Sequence, residues 1–469
     1  MSVVFAGAAS LPIGLEDPLI FIGLAIGHNI QRFVLPRAYP TLHLEGMQRD
    51  LAVVGCACGV SGAFLTPIGG VLFAMEEGAS FWSPLLAWRS FASACLTTIA
   101  MYIFQWLWFL VANGGGDIQP DQVFFKIHSM EVYSGLPGQR RSRFDIGVNV
   151  TTDGLTGSEI HYRSQPGYRF YDFVFFAAIG ILAGIVGALW IEGSVVLSRF
   201  RRRIDLHRAG KVAEILGLTL LVSCVLWFLP RVYTRCNPRE SSGLTDDSIL
   251  RQLNCPDGQY NQLGTLFLNG PGNIGLNLLY WEPAQTFDPV VLLLAGSTYH
   301  VLLLLLFGST ISMGIFVPLL YMGACYGRAI SILATRHMEF DESDRRDHMV
   351  FTFTMVSSVA VLAGVARVLI SLSVIMICSI GTTYLLTPFM VATLFAKIVG
   401  KAVSGRPGIY DVVLEMRVRI RKNLLRCEYR FNSLVRSPHS LILPGSSACF
   451  HVACHNPCLY LGNRLSVVY

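Results

Sequence analysis

Residues 14–27 read GLEDPLIFIGLAIG, and residues 314–327 read GIFVPLLYMGACYG. Each stretch starts with a glycine, reaches a proline four residues later and continues as an apolar run. Proline is favoured in the first turn of a helix, because its missing N–H would have no partner there. Both stretches therefore predict helix N-termini. Matched breaks of this kind in two halves of a membrane protein indicate inverted repeats that meet at a binding site near the middle of the bilayer.

The composition of the chain is that of a membrane protein. Hydrophobic residues make up 53% of the 469 residues, only 14% are charged, and the mean hydropathy is +0.52. Soluble domains carry about 25% charged residues. Several apolar runs are shorter than the roughly 20 residues that a straight span needs, whereas others, such as 50–75 and 349–377, are longer. We therefore predict an all-α polytopic membrane protein with broken and tilted helices.

Glycines at near-helical spacing occur in two of these runs. Small residues let two helix backbones approach closely in lipid, so such rows favour tight helix packing. The two rows are Gly55, Gly59 and Gly62, and Gly180, Gly184 and Gly187.

The net charge of +6 is small for this length, and the basic residues lie between the apolar runs. This pattern fits control of topology rather than nucleic-acid binding. The densest basic stretch, 199–211, is predicted to be cytosolic, which puts loops 113–170 and 231–288 on the opposite side. The second loop carries Cys236 and Cys255. An oxidising compartment would join them in a disulfide, and the alternative is two free thiols.

Acidic residues flank two of the predicted breaks. Glu16 lies next to the first helix start, where free N–H groups and the helix dipole attract anions. Its carboxylate could occupy an anion site itself, or it could merely favour the helix start. Glu76 and Glu77 close the glycine-rich stretch 62–82, GAFLTPIGGVLFAMEEGASFW. Ionisable groups at membrane depth mark ion or proton paths, whereas at the water interface they cost little.

These three stretches resemble the CLC family of chloride channels and chloride–proton antiporters. GLEDP is similar to the family's GKEGP, residues 62–82 are similar to its GAxFxxPxGGVLFxxEE segment, and GIFVP is intact. EEGASFW at 76–82, CPDGQYN at 255–261, and the stretch 366–400 look most like the endosomal and lysosomal branch. The resemblance covers about residues 1–412. It implies a CLC-type inverted repeat that forms a homodimer, with the first few helices of the family missing.

The resemblance also implies roles for individual residues. Glu16 aligns with the gating glutamate that competes with chloride, and Glu77 aligns with the glutamate that passes protons in exchangers. In the second motif, which begins at Gly314, Ile315 and Phe316 would offer backbone amides to the anion.

Tyr384, in the stretch TTYLLTP, would supply a hydroxyl at the inner end of the anion path. A tyrosine has the required chemistry, because its O–H donates to an anion while its ring fills an apolar wall. Without the resemblance, an isolated Tyr384 would be read as an aromatic residue at the membrane interface.

Several positions depart from the family pattern. Leu15 stands where lysine is usual, and Asp17 stands where glycine is usual. Together these changes add a carboxylate and remove a cation beside the predicted anion site. Cys378 lies near the place of an acidic residue, and the family's GSGIPE segment, whose serine also coordinates the anion, is absent. We expect two parts, a truncated transmembrane domain at 1–425 and an irregular tail at 426–469 without CBS domains.

The expected function is chloride transport across an endosomal, lysosomal or vacuolar membrane, with protons exchanged for chloride. Glu77 favours exchange, because family members that act as passive channels usually lack an acid there. The alternatives are a passive voltage-gated chloride channel and a non-conducting membrane fragment or partner subunit. An accessory subunit is also plausible. No enzymatic chemistry, cofactor or metal is expected; the Cys/His cluster in the tail, 449–458, does not match standard zinc spacing.

Overall fold

The computed structural model describes residues 11–14, 16–33, 45–113, 131–133, 140–142, 172–204, 208–239, 249–281, 285–309, 313–336, 343–380 and 383–417. The chain divides into two compact units, residues 1–405 and residues 406–469. The described part of the second unit is 406–417, which contains one short helix. The domain boundary expected at residue 425, the tail beyond it and Leu15 lie outside the described residues.

Helices dominate the described residues, which confirms the predicted all-α class. The helices are α1 (Glu16–Phe33), α2 (Glu45–Phe64), α3 (Pro67–Phe73), α4 (Pro84–Asn113), α5 (Asp172–Ile204), α6 (Arg208–Val232), α7 (Gln262–Asn269), α8 (Asn273–Trp281), α9 (Pro289–Leu306), α10 (Phe316–Arg336), α11 (Ser343–Ala366), α12 (Ile370–Ile380), α13 (Leu386–Ser404) and α14 (Ile409–Arg417). Two short antiparallel hairpins accompany them, β1 (Glu131–Tyr133) with β2 (Arg140–Ser142) and β3 (Cys236–Pro238) with β4 (Gln259–Asn261).

Within the described residues, six helices are long and apolar enough to cross a membrane. Their surroundings differ widely. The apolar window of α11 is 94% buried inside the protein, whereas that of α6 is 6% buried. An apolar helix that stays exposed along its length fits a lipid-facing position, so α6 lies at the periphery and α11 at the centre. Helices α5, α10 and α13 pack around α11.

The two long apolar runs are each broken into two helices. Helix α2 gives way to α3 at Leu65, which has a φ of 56°. Helix α11 gives way to α12 through Arg367, which has a φ of 66°. Left-handed backbone is uncommon for residues other than glycine, and a helix that passes through it must end. Each run therefore forms two shorter segments instead of one long span, which fits the predicted fold class with broken helices.

The glycine rows lie at helix contacts, and all of these glycines except Gly62 face the backbone of another helix. A Cβ on Gly55 would come within 2.1 Å of the Gly23 carbonyl oxygen of α1, so α1 and α2 touch backbone to backbone. A Cβ on Gly180 would come within 2.4 Å of the Ala392 carbonyl oxygen, which joins α5 to α13 in the same way. Gly62 differs, because its Cβ would meet only the Thr97 and Met101 side chains, at 3.6 Å and 3.9 Å. The glycine spacing therefore predicted the contact faces, but not that Gly62 faces side chains of α4 where the other glycines face backbone.

A basic side chain in the last turn of α5 holds the end of another helix. The Arg201 guanidinium donates to the carbonyl oxygens of Leu305 and Phe307 at the C-terminus of α9. It also pairs with the Glu214 carboxylate of α6, with a nitrogen–oxygen distance of 2.7 Å. Carbonyls at a helix C-terminus lack intrahelical partners and favour a nearby cation. Arg201 thus holds α5, α6 and α9 together at one end.

The loop between α6 and α7 has its own small framework. Cys236 and Cys255 form a disulfide with a Cα–Cα distance of 5.8 Å. The Asn261 side chain, fully buried, accepts from the Gly264 N–H at 3.0 Å and so caps α7. Its amide nitrogen donates to the Pro230 carbonyl at 2.9 Å. The cap ties α7 to the end of α6, because one side chain satisfies groups on both.

Candidate functional site

The two motifs that begin with glycine meet in the structure. Gly14 donates its N–H to the Gly314 carbonyl at 2.8 Å, and Gly314 donates to the Gly14 carbonyl at 2.9 Å. Helix α1 starts at Glu16 and α10 starts at Phe316, each directly after this bridge. Both glycines are buried. The predicted helix starts are therefore side by side, and the positive ends of two helix dipoles converge on one point.

Glu16 lies against this bridge. Its side chain is only 7% exposed. A Cβ placed on Gly14 would come 1.9 Å from Glu16 Oε2, and a Cβ placed on Gly314 would come 2.9 Å from the same oxygen. The two glycines therefore leave the space that the Glu16 carboxylate fills. A carboxylate held at two helix N-termini lies where their dipoles attract an anion.

Asp17 reaches the second helix start. The Ile315 N–H donates to Asp17 Oδ2 at 2.9 Å, and the two residues are 298 positions apart in sequence. Ile315 and Phe316 are buried, and the Phe316 ring lies 4.7 Å from the Phe64 ring, measured between centroids. A backbone amide that the resemblance assigns to the anion thus bonds a carboxylate of the chain itself. The sequence predicts a carboxylate near the site at this position but does not predict the contact.

Glu76 and Glu77 follow α3 in a π-helical turn, Ala74–Gly78. The Glu76 carboxylate accepts from the backbone N–H groups of Leu369 at 2.8 Å, Ile370 at 3.1 Å and Ser371 at 3.1 Å, and from the Ser371 hydroxyl at 3.0 Å. It therefore caps α12 from outside that helix. Glu77 is partly buried in the same turn. π-Helical turns often occur at functional sites.

The capping role of Glu76 was missed from the sequence, although one signal points to it. The residues before α12 are Arg367, Val368 and Leu369, none of which is a usual N-cap residue. A helix that starts inside a protein without its own cap requires one from elsewhere. This signal indicates the need for a cap but does not identify the residue that provides it.

Tyr384 lies just before α13 and is partly buried. Its hydroxyl oxygen is 3.5 Å from His348 Nε2 of α11, which is at the long limit for a hydrogen bond. The two rings stack, with an interplanar angle of 27° and centroids 5.9 Å apart. No sequence pattern predicts this pairing, because the two residues lie on different elements and His348 belongs to no motif.

The structure thus brings together Gly14, Glu16, Asp17, Gly314 and Ile315 at one bridge. Glu76 of the second acidic pair lies at the start of α12, and Tyr384 lies next to His348 of α11. Within the described residues, no group of three or more His, Cys, Asp or Glu side chains is arranged to hold a metal ion.

A family model and several known proteins match most of this chain. The family model described as voltage gated chloride channel matches residues 1–401. The H(+)/Cl(-) exchange transporter 7 of Mus musculus is 27% identical over 425 residues, which cover 88% of this chain and 47% of the relative. Chloride channel protein CLC-b of Arabidopsis thaliana is 28% identical over 431 residues, which cover 88% of this chain and 49% of the relative. The chain spans about half the length of these curated relatives.

Solved structures have the same fold. A eukaryotic CLC transporter superposes with a TM-score of 0.53 at 20% identity, covering 87% of this chain and 53% of the other. A slow cyanobacterial Cl-/H+ antiporter superposes with a TM-score of 0.54 at 18% identity, covering 88% of this chain and 74% of the other. With the family match over residues 1–401 and the paired helix starts at Gly14 and Gly314, the chain belongs to the voltage-gated chloride channel (CLC) family of multi-pass membrane proteins.

Proposed function

We propose that this chain carries chloride across a membrane in exchange for protons. The observation that carries the proposal is the bridge between Gly14 and Gly314, where the starts of α1 and α10 converge on the buried Glu16 carboxylate. Helix N-termini that point into a protein interior attract anions through their N–H groups and their dipoles. A site of this kind, placed between two repeats, is the general arrangement of transporter binding sites.

In this proposal the anion and Glu16 compete for one place. The backbone amides of the α10 start, at Ile315 and Phe316, donate to chloride, and the carboxylate of Glu16 occupies the space when chloride leaves. The two glycines support this exchange, because a Cβ at Gly14 or Gly314 would collide with the Glu16 carboxylate. Tyr384 would donate its hydroxyl at the inner end of the path, with His348 beside it.

Protons would use Glu77. The neighbouring Glu76 is bound to the backbone N–H groups at the start of α12 and to the Ser371 hydroxyl. Protonation of Glu76 would weaken those bonds, since each of them is strongest to an ionised carboxylate, so Glu76 is poorly suited to carry protons. Glu77 lies in the same turn and is partly buried, and the resemblance assigns the proton-passing role to it.

The membrane and the assembly are also proposals. The resemblance of residues 76–82 and 255–261 to the endosomal and lysosomal branch supports a lysosomal, endosomal or vacuolar membrane. The Cys236–Cys255 disulfide supports a loop on the oxidising, non-cytosolic side. We propose a homodimer in the lipid bilayer, and an accessory subunit is compatible with this branch.

A passive chloride channel is the second candidate. One relative is named a chloride channel protein, and Asp17 places an additional carboxylate at the α10 start. In a channel Glu16 would still gate, but Glu77 would carry no protons. The two candidates therefore differ in what the loss of the Glu77 charge does.

Paired chloride and proton flux in liposomes tests the proposal. The reconstituted chain should take up protons against their gradient when a chloride gradient drives it. Glu77→Gln should abolish proton uptake and keep chloride flux. Asp50→Asn is the matched control, because Asp50 lies on α2 and pairs with Arg49 at 3.5 Å; it should leave both fluxes unchanged. Chloride flux without proton movement in all three proteins would favour the channel. The absence of any flux would contradict both candidates.

A further inference from the structure

The Ile315 amide is already bonded to a carboxylate of the chain. Asp17 Oδ2 accepts from the Ile315 N–H at 2.9 Å, next to the bridge that joins Gly14 and Gly314. An N–H group donates one good hydrogen bond, and a bond to an ionised carboxylate is stronger than one to a neutral acceptor. A chloride ion that uses the Ile315 amide must therefore displace Asp17 or accept a weakened bond.

We propose that Asp17 is a built-in competitor for chloride, which lowers the affinity of the anion site at the start of α10. This inference rests on the proposed function of that site. Asp17 differs from Glu16 in its target. The Glu16 carboxylate fills the space between the two glycines, whereas the Asp17 carboxylate holds one amide of the second helix. Two consecutive carboxylates thus restrict the site from two directions.

The charge of Asp17 acts beyond this single bond. Two like charges in a site with little water repel each other strongly, since the local dielectric is lower than in bulk water. Asp17 would therefore disfavour chloride even where the anion bonds other N–H groups of the α10 start. Removing the charge while keeping the acceptor separates these two effects, because an asparagine carbonyl still accepts from the Ile315 N–H.

A purely structural role makes a different prediction. If Asp17 only caps α10, its replacement lowers the stability of the fold and leaves the chloride affinity unchanged or weaker. If Asp17 competes with chloride, the same replacement strengthens chloride binding. The direction of the change in affinity therefore distinguishes the two roles.

Calorimetric titration of the detergent-solubilised full chain with chloride is the experiment. Asp17→Asn removes the charge and Asp17→Gly also frees the amide. We expect the dissociation constant for chloride to fall about tenfold in Asp17→Asn, equivalent to about 1.4 kcal/mol, and further in Asp17→Gly. Asp50→Asn, which removes a carboxylate from the exposed pair with Arg49 on α2, should leave the dissociation constant unchanged.

The outcomes separate this inference from the proposed function. Chloride binding and flux in the unsubstituted chain, with equal or weaker binding in both Asp17 variants, would overturn the competitor role alone. A loss of helical circular dichroism in both variants would also overturn it, because Asp17 would then be a structural cap. If neither the chain nor its variants bind chloride, the site itself is wrong and both proposals fall. Tighter binding in either folded variant supports the competitor role, even if the unsubstituted chain binds chloride too weakly to measure.

Discussion

The two acidic pairs of this protein have the same arrangement and differ in the groups that they hold. In the first pair, Glu16–Asp17, and in the second pair, Glu76–Glu77, one carboxylate reaches the start of a helix from the other half of the chain. Asp17 holds the amide before α10, and Glu76 holds the start of α12. In both pairs the resemblance assigns the transport role to the other acid, namely gating to Glu16 and proton passage to Glu77.

The difference lies in the groups that the carboxylates hold. Asp17 accepts from the Ile315 N–H, an amide that the resemblance assigns to the anion, while Glu76 accepts from the backbone of Leu369, Ile370 and Ser371 and from the Ser371 hydroxyl. A carboxylate that accepts from four donors of one helix start is costly to displace, whereas an incoming anion can compete for the Ile315 amide. We therefore read Glu76 as a fixed cap and Asp17 as an exchangeable ligand. The same chemistry thus gives a rigid element in one place and a competing anion in the other.

The largest effect that tests this comparison is the loss of the fixed cap. Glu76→Ala leaves several N–H groups at the start of α12 without their acceptor. We expect it to lower the free energy of unfolding by about 3 kcal/mol, since hydrogen bonds to charged groups are worth about 1.5–3 kcal/mol each and do not add fully. Thermal unfolding in detergent, followed by circular dichroism, measures this as a lower midpoint.

Asp50→Ala is the control for that experiment, because it removes a carboxylate that pairs with Arg49 on α2 at a partly exposed position. It should cost less than about 1 kcal/mol, as is usual for ion pairs near the surface. Equal destabilisation by the two variants would contradict the assignment of a fixed cap to Glu76.

The second effect concerns the bridge at the first pair. A Cβ on Gly314 would lie 2.8 Å from the Gly14 carbonyl oxygen and 2.9 Å from Glu16 Oε2. Gly314→Ala should therefore force the bridge apart and lower the free energy of unfolding by about 2 kcal/mol, within the usual range of overpacking. Chloride flux should fall with it, since the two helix starts separate. Flux in liposomes and thermal unfolding measure both changes.

Gly217→Ala is the matched control for the bridge. Gly217 lies within α6, and no described atom lies within 4 Å of a Cβ at this position. Because alanine is favoured over glycine inside a helix by about 1 kcal/mol, this variant should be neutral or slightly stabilising. A loss of flux in both variants would mean that any glycine substitution perturbs the protein, and the special role of the bridge would be lost.

The sequence predicted where α1 and α10 start, but not which residues contact those two starts. The prolines at 18 and 318 mark the starts of α1 and α10 through local chemistry alone, and the structure confirms both starts. The bridge between Gly14 and Gly314, and the contact of Asp17 with Ile315, join residues far apart in sequence. No local pattern specifies such pairing, because it depends on how the two halves of the chain pack.

The breaks and the caps show the same limit. The runs 50–75 and 349–377 turn at Leu65 and Arg367, neither of which is a glycine or proline. Pro67 marks the start of α3 two residues after Leu65, whereas no proline stands between Arg367 and α12. Left-handed backbone costs residues of this kind about 1–2 kcal/mol each. The sequence likewise did not identify Glu76 as the cap of α12. The residues before α12 show only that this helix lacks an N-cap residue of its own.

The smallest expected effect lies beyond both acidic pairs, at Tyr384. If its hydroxyl donates to chloride at the inner end of the path, Tyr384→Phe should weaken chloride binding about fivefold, equivalent to about 1 kcal/mol, the net value of a typical hydrogen bond. The phenyl ring would keep the stacking on His348, so the midpoint of thermal unfolding should stay nearly unchanged. Tyr102→Phe, an exposed position on α4, is the control and should leave binding unchanged. Calorimetric titration with chloride measures the effect, and tighter or equal binding by Tyr384→Phe would confine the anion path to the first acidic pair and the start of α10.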